Sequence, residues 1–157
     1  MPDAEGRGME DDMVDILIVE DSDDDYEATL RALSLPAAIE QRVIRCRDGV
    51  EAWNTLNVDP AKDADGSEAR RLFIIMDLNM PGLDGRALLA KIKSHDQLKS
   101  IPVAILTTSD DPADVQECYR KGANTFVKKP ISWSVFATQM EALKAFWLNS
   151  ATLPFRL

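Results

Sequence analysis

The sequence predicts a parallel β-sheet of five strands covered on both faces by helices, and three observations predict it. Five brief apolar runs, at 16–19, 43–44, 72–76, 103–106 and 126–127, are mostly β-branched or aromatic. Several lack the alternation that a strand with one wet face shows, so they belong in a sheet buried on both sides. The segments between them are long enough for the crossover helices that parallel strands require.

The elements follow in order. Ile16-Leu17-Ile18-Val19 is the first strand and ends in Glu20-Asp21. A helix should begin after Asp21, where Ser22, Asp23, Asp24 and Asp25 supply capping oxygens and negative charge to the positive end of the dipole. Tyr26, Leu30 and Leu33 would face inward, and Pro36 marks the end. Val43-Ile44 is the second strand, followed from about Asp48 by a helix with Val50, Trp53 and Leu56 inward. Residues 57–70 are rich in Asp, Ala, Gly and Pro without helical or strand period, which reads as an exposed loop insertion. Leu72-Phe73-Ile74-Ile75-Met76 is the third strand, and the helix from about Asp84 points Leu88, Leu89 and Ile92 inward. His95 sits at its expected end, where the dipole favours it. After Val103-Ala104-Ile105-Leu106, a helix starts near Pro112 and stops at Gly122. Phe126-Val127 is the fifth strand, and a last helix runs from about Ser132 to Leu148.

The chain has 157 residues, enough for one core. Residues 1–13 are expected to be a solvated, disordered tail, 14–148 the folded domain and 149–157 a C-terminal arm. A formal net charge of −9 repels phosphate backbones, so nucleic-acid binding is disfavoured. Cys46 and Cys118 are expected to be ordinary thiols in a reducing cytoplasm. The apolar runs are too short to span a bilayer, and no secretory signal is visible.

Function in a parallel α/β sheet gathers at the carboxyl ends of its strands. There the sequence sets Glu20-Asp21, Asp77 with Leu78-Asn79, Thr107-Thr108 and Lys129-Pro130. Carboxylates crowded on one rim repel, and a hard divalent cation such as Mg²⁺ resolves the repulsion. One carboxylate then has a free oxygen to act as nucleophile, with an ammonium and a hydroxyl to neutralise an incoming phosphoryl group.

Four segments, ILIVED at 16–21, IIMDLNMPGLDG at 74–85, PVAILTTS at 102–109 and GANTFVKKP at 122–130, resemble the receiver domains of two-component response regulators. The resemblance spans about Val14 to Leu148. It implies a flavodoxin-like sheet of order 2-1-3-4-5, and a signalling protein rather than an enzyme acting on external substrates. By the same resemblance Asp77 accepts the phosphoryl group from a histidine kinase, while Glu20, Asp21, Asp77 and the Asn79 backbone carbonyl hold Mg²⁺. Lys129 and Thr107 grip phosphoryl oxygens, Thr107 and Phe126 form the switch, and the Lys129-Pro130 bond is cis. Glu20 stands where an aspartate is frequent, without harm to metal binding. The competing enzyme reading, a phosphohydrolase resembling the haloacid dehalogenases, wants a second acid where Asn79 stands. A flavin-binding module lacks its phosphate loop after the first strand, and a phosphorylation-independent dimeric scaffold stays as the alternative.

The C-terminal region carries more apolar surface than one helix face uses. Trp133, Phe136, Met140, Leu143 and Trp147 form a stripe, while Val135, Phe146 and Leu148 lie off it, and Leu153 and Phe155 follow in the arm. A homodimer is expected, with Trp133, Phe136, Met140, Phe146, Trp147, Leu148, Leu153 and Phe155 contributing; the alternative is a tail folded back on its own subunit. The ending FWLNSATLP resembles stand-alone regulators that work with bacterial and cyanobacterial phytochromes, which implies a light-sensing histidine kinase as phosphodonor.

Overall fold

The computed structural model describes residues 14–57 and 71–155. Its strands are β1 (Val14–Val19), β2 (Val43–Cys46), β3 (Arg71–Met76), β4 (Val103–Thr107) and β5 (Thr125–Lys128). They pair in parallel in the order β2-β1-β3-β4-β5, as expected. Helices α1 (Asp23–Leu33), α2 (Gly49–Leu56), α3 (Gly85–Ser94), α4 (Pro112–Arg120) and α5 (Trp133–Lys144) connect or follow them. The expected N-terminal tail and nearly all of the 57–70 loop lie outside the described residues. No helix among those described is long and apolar enough to cross a membrane.

Strand alternation divides the core. Leu17, Val19, Ile74, Met76, Val103 and Ile105 pack on one face with α2, α3 and α4, through Ala52, Leu56, Leu88, Leu89, Ile92 and Cys118. Ile16, Ile18, Phe73, Ile75, Ala104 and Leu106 pack on the other with α1 and α5. Both sides of the central strands are therefore dry, the physical reason that their sequences do not alternate.

Side-chain caps start the helices where the acidic and hydroxyl residues pointed. Ser22, Asp48, Asp84, Asp111 and Ser132 each accept a hydrogen bond from an amide of the first turn. The inner face of α2 differs from the expected one: Val50 is 52% exposed, and Gly49 and Ala52 take the inner positions beside Leu56. A side chain at Gly49 would lie 2.1 Å from the Leu83 carbonyl oxygen, so close backbone approach fixes which face turns inward.

The last helix also departs from one continuous α-helix. After Lys144 it widens into a π-helical turn over Ala145–Ser150. The wider turn sends Phe146 outward, 56% exposed, while Trp147 stacks on Phe73 at 5.5 Å. Phe136, Met140 and Leu143 are buried in the protein's own core, and so is Leu153, which the arm folds back onto it. This corrects the expectation that Phe136, Met140 and Leu153 meet a partner subunit. Trp147 and Leu148 also pack on that core, whereas Trp133 and Phe155 stay partly exposed.

Candidate functional site

The ladder extends past the strands and aims the rim residues. The Glu20 amide donates to the Cys46 carbonyl at 3.0 Å, that of Asp77 to Val19 at 3.1 Å, and that of Lys129 to Thr107 at 2.7 Å. Side chains from three strand ends thus meet at one point. The Lys129 ammonium lies 3.3 Å from Glu20 Oε2 and 3.6 Å from Asp77 Oδ2. It is also 3.5 Å from Asp25 Oδ2, a residue of the first turn of α1.

Asp25 is the residue that sequence reasoning missed. Glu20, Asp25 and Asp77 each bring one carboxylate oxygen within 4.8 Å of the others; Asp21 is outside that group, and both Asp21 and Asp25 are exposed. Of the expected metal set of Glu20, Asp21, Asp77 and the Asn79 carbonyl, the structure brings Glu20 and Asp77 together and adds Asp25 beside them. Asp25 precedes the buried Thr29 and Leu33 by four and eight residues, so it stands at the head of the helix's inner stripe. That phase was the available signal; Asp23 instead turns away to Arg45 and Arg47, at 2.7 and 2.6 Å.

Electrostatics follow from the crowding. Burial pushes the Glu20 carboxyl up from 4.5 to about 7; the positive charge of Lys129 opposes this and the negative charge of Asp77 adds to it. Burial works against the Lys129 ammonium, yet Asp77, Glu20 and Asp25 together hold it above its ordinary value. Three carboxylates facing one ammonium leave excess negative charge, with Glu20, Asp77 and Lys129 buried or nearly so and Asp25 half exposed at the edge. Two ligands of one Mg²⁺ are at most about 4.2 Å apart, so oxygens within 4.8 Å of one another need to draw in by no more than about 0.6 Å to hold a small oxygen-seeking dication.

The remaining candidates are placed as follows. Asn79 is exposed, and its amide donates to Asp77 Oδ1 at 3.3 Å. Thr107 is fully buried, and its Oγ1 accepts from the Ser109 amide at 3.3 Å. Phe126 is half-buried, packs on the α2–α4 side of the core, and donates its amide to the Tyr119 hydroxyl at 3.1 Å. The Lys129-Pro130 bond is trans, contrary to expectation; the cis bond among the described residues is Leu35-Pro36. A trans bond suffices because the Lys129 side chain reaches all three carboxylates from a strand end already fixed by its amide.

A nucleophilic carboxylate beside an ammonium, next to a site suited to a divalent cation, is equipped to take up a phosphoryl group. Comparison with known proteins points the same way. Residues 16–141 match the response regulator receiver domain family. Response regulator Rcp1 of Synechocystis sp. is 34% identical over 88% of this chain and 92% of its own. The Mn²⁺-bound structure of Rcp1 superposes with a TM-score of 0.77, covering 90% of this chain and 99% of the other. The phosphorylated cyanobacterial phytochrome response regulator RcpA is 33% identical, with a TM-score of 0.77 over 90% of this chain and 99% of its own. The bacteriophytochrome response regulator AtBRR is 36% identical, with a TM-score of 0.64 over 86% of this chain and 95% of its own. With the fold, the strand-end carboxylates and the lysine all in place, the chain belongs to the response regulator receiver domains and is similar to those of phytochrome signalling.

Proposed function

We propose that Asp77 accepts a phosphoryl group from the phosphohistidine of a histidine kinase. The observation that carries the reading is the Lys129 ammonium, 3.6 Å from Asp77 Oδ2 and shared with Glu20 and Asp25 at the carboxyl end of the sheet. An Asp77 oxygen attacks phosphorus, the P–N bond to the donor imidazole breaks, and its electron pair stays on the ring nitrogen, which takes up a proton. Lys129 faces the phosphoryl oxygens and offsets their charge, and the Thr107 hydroxyl donates to another. Glu20, Asp25 and Asp77 would hold Mg²⁺, with Asp21 and the Asn79 carbonyl at the rim, and the ion would supply further neutralisation of the phosphoryl oxygens. Lys129 screens the carboxylate nucleophile from an anionic donor.

The similarity to Rcp1, RcpA and AtBRR supports a phytochrome-type histidine kinase as donor. The output is contact with another protein in the cytoplasm, with Thr107 and Phe126 transmitting the change. The exposed Trp133, Val135, Phe146 and Phe155 support a homodimer built on the outer side of α5 and the arm. Intact mass after incubation with acetyl phosphate and Mg²⁺ tests the central step. The wild type is expected to gain one phosphoryl group, and Asp77→Asn or a chelator to abolish the gain; a wild type left unmodified sinks the reading.

A further inference from the structure

Helix α3 and the loop after β4 are joined by a polar chain that phosphoryl transfer does not itself require. Arg86, at the start of α3, meets Asp114 with two prongs, Nε to Oδ1 at 3.0 Å and Nη2 to Oδ2 at 2.8 Å. Asp114 lies in the first turn of α4, and its Oδ2 accepts from the Ser109 hydroxyl at 2.5 Å. That hydroxyl in turn accepts from the Asp111 amide at 3.4 Å. The Ser109 amide then donates to Thr107 Oγ1 at 3.3 Å. A continuous path runs from a guanidinium on one helix, through a carboxylate on the next, to the buried hydroxyl at the end of β4.

The path constrains movement. Among the described residues, the side-chain partner of Thr107 is the Ser109 amide, while the Lys129 ammonium faces the three carboxylates. Ser109 is held at both ends, by its amide and by its hydroxyl, and the carboxylate that holds the hydroxyl is itself oriented by the forked guanidinium. The loop therefore cannot carry Thr107 toward Asp77 without stretching at least one of these contacts. The Ser109 hydrogen bond, followed by Arg86, keeps the Asp114 carboxyl below its ordinary value, so the acceptor stays charged at neutral pH.

We propose that Arg86, Asp114 and Ser109 form a latch that holds Thr107 in its resting position, so that opening the latch is part of the cost of receiving a phosphoryl group. The proposal rests on the assignment of Asp77 as acceptor. These three are positioning residues and touch neither phosphorus nor the cation.

The test is titration of the full chain with beryllofluoride in Mg²⁺, followed by ¹⁹F NMR, in wild type, Ser109→Ala, Arg86→Gln, Arg86→Lys and the Ser109→Ala/Arg86→Gln pair. Ser109→Ala and Arg86→Gln are each expected to tighten beryllofluoride binding about five- to tenfold. The pair should gain no more than the better single variant, because both cut one path. Arg86→Lys should restore part of the wild-type behaviour, and Mg²⁺ affinity without beryllofluoride should stay unchanged throughout. A purely structural role would instead lower the melting temperature and weaken both affinities together, which overturns the latch. Ser109→Ala retains the ion pair, so the test stands even where the Arg86 variants lose stability. Unchanged or weaker beryllofluoride binding in variants of a wild type that binds it refutes the latch alone. A wild type that binds none refutes the Asp77 assignment, and the latch with it.

Discussion

Glu20 is the residue whose protonation governs the site at neutral pH. Burial pushes its carboxyl from 4.5 up to about 7, so in the metal-free protein it is part protonated near pH 7. A cation needs the carboxylate, so Mg²⁺ binding is expected to strengthen about tenfold between pH 6 and pH 8, measured by calorimetry. The effect on stability has the opposite sign. A carboxyl whose folded pKa is raised binds its proton more tightly in the folded state, so the metal-free protein loses stability as pH rises from 4.5 to about 7. Melting curves in chelator should show that decline, and saturating Mg²⁺ should remove it. Asp25 gives a second expectation: Asp25→Asn should weaken Mg²⁺ binding by about tenfold, while Asp24→Asn, one position around the helix, should leave it nearly unchanged. Glu20, Asp77 and Lys129 were legible because each ends a strand in sequence. Asp25 was not, because three adjacent acidic residues look alike until the phase of α1 is known.

At the level of elements, the turn between β3 and α3 depends on how closely backbone approaches backbone. A Cβ at Gly85 would sit 2.1 Å from the Asp77 carbonyl oxygen and 2.8 Å from the Leu78 Cα. Neither neighbour is a side chain able to swing aside, so the strand end bearing Asp77 must move. Gly85→Ala is expected to cost about 2–3 kcal/mol in urea unfolding and to slow phosphorylation from acetyl phosphate. Gly82 makes the contrast, with φ +71° and nothing within 4 Å of its Cβ direction. Gly82→Ala should carry only the left-handed strain of about 1 kcal/mol and leave Asp77 in place. Strand order and helix positions were legible because apolar runs, caps and breakers are local signals. The inner face of α2 was not, because the Leu83 backbone that selects it lies in another turn. The trans Lys129-Pro130 bond was missed for a related reason: the two isomers of an X-Pro bond differ by only about 0.5–1 kcal/mol, which tertiary surroundings decide.

For the whole molecule the question is where the surplus apolar residues of the C-terminal region go. Phe136, Met140, Leu143 and Leu153 are consumed by the protein's own core, so the folded-back arm accounts for part of what had suggested an interface. The π-helical turn was hidden from the sequence, since a stripe spaced by three and four fits an ordinary helix until packing on Phe73 rotates Trp147 inward. What remains exposed includes Phe146 at 56%, Val135 at 48% and Phe155 at 45%. Two copies meeting there each carry a formal charge of −9, so they repel at long range and must be held by apolar burial. Salt screens the repulsion and leaves the apolar term in place, so a dimer of this kind should tighten between low and physiological ionic strength. Sedimentation equilibrium is expected to show that trend. Phe146→Asp, which adds a further charge at the most exposed of these positions on α5 and its π-helical extension, should raise the dimer Kd at least about tenfold. Phosphorylation of that variant by acetyl phosphate should persist, because Phe146 is not among the side chains that meet at Lys129, which are Glu20, Asp25 and Asp77. A monomer at every salt concentration would reject the dimer and leave the phosphoacceptor site standing, since its carboxylates and lysine all come from one chain.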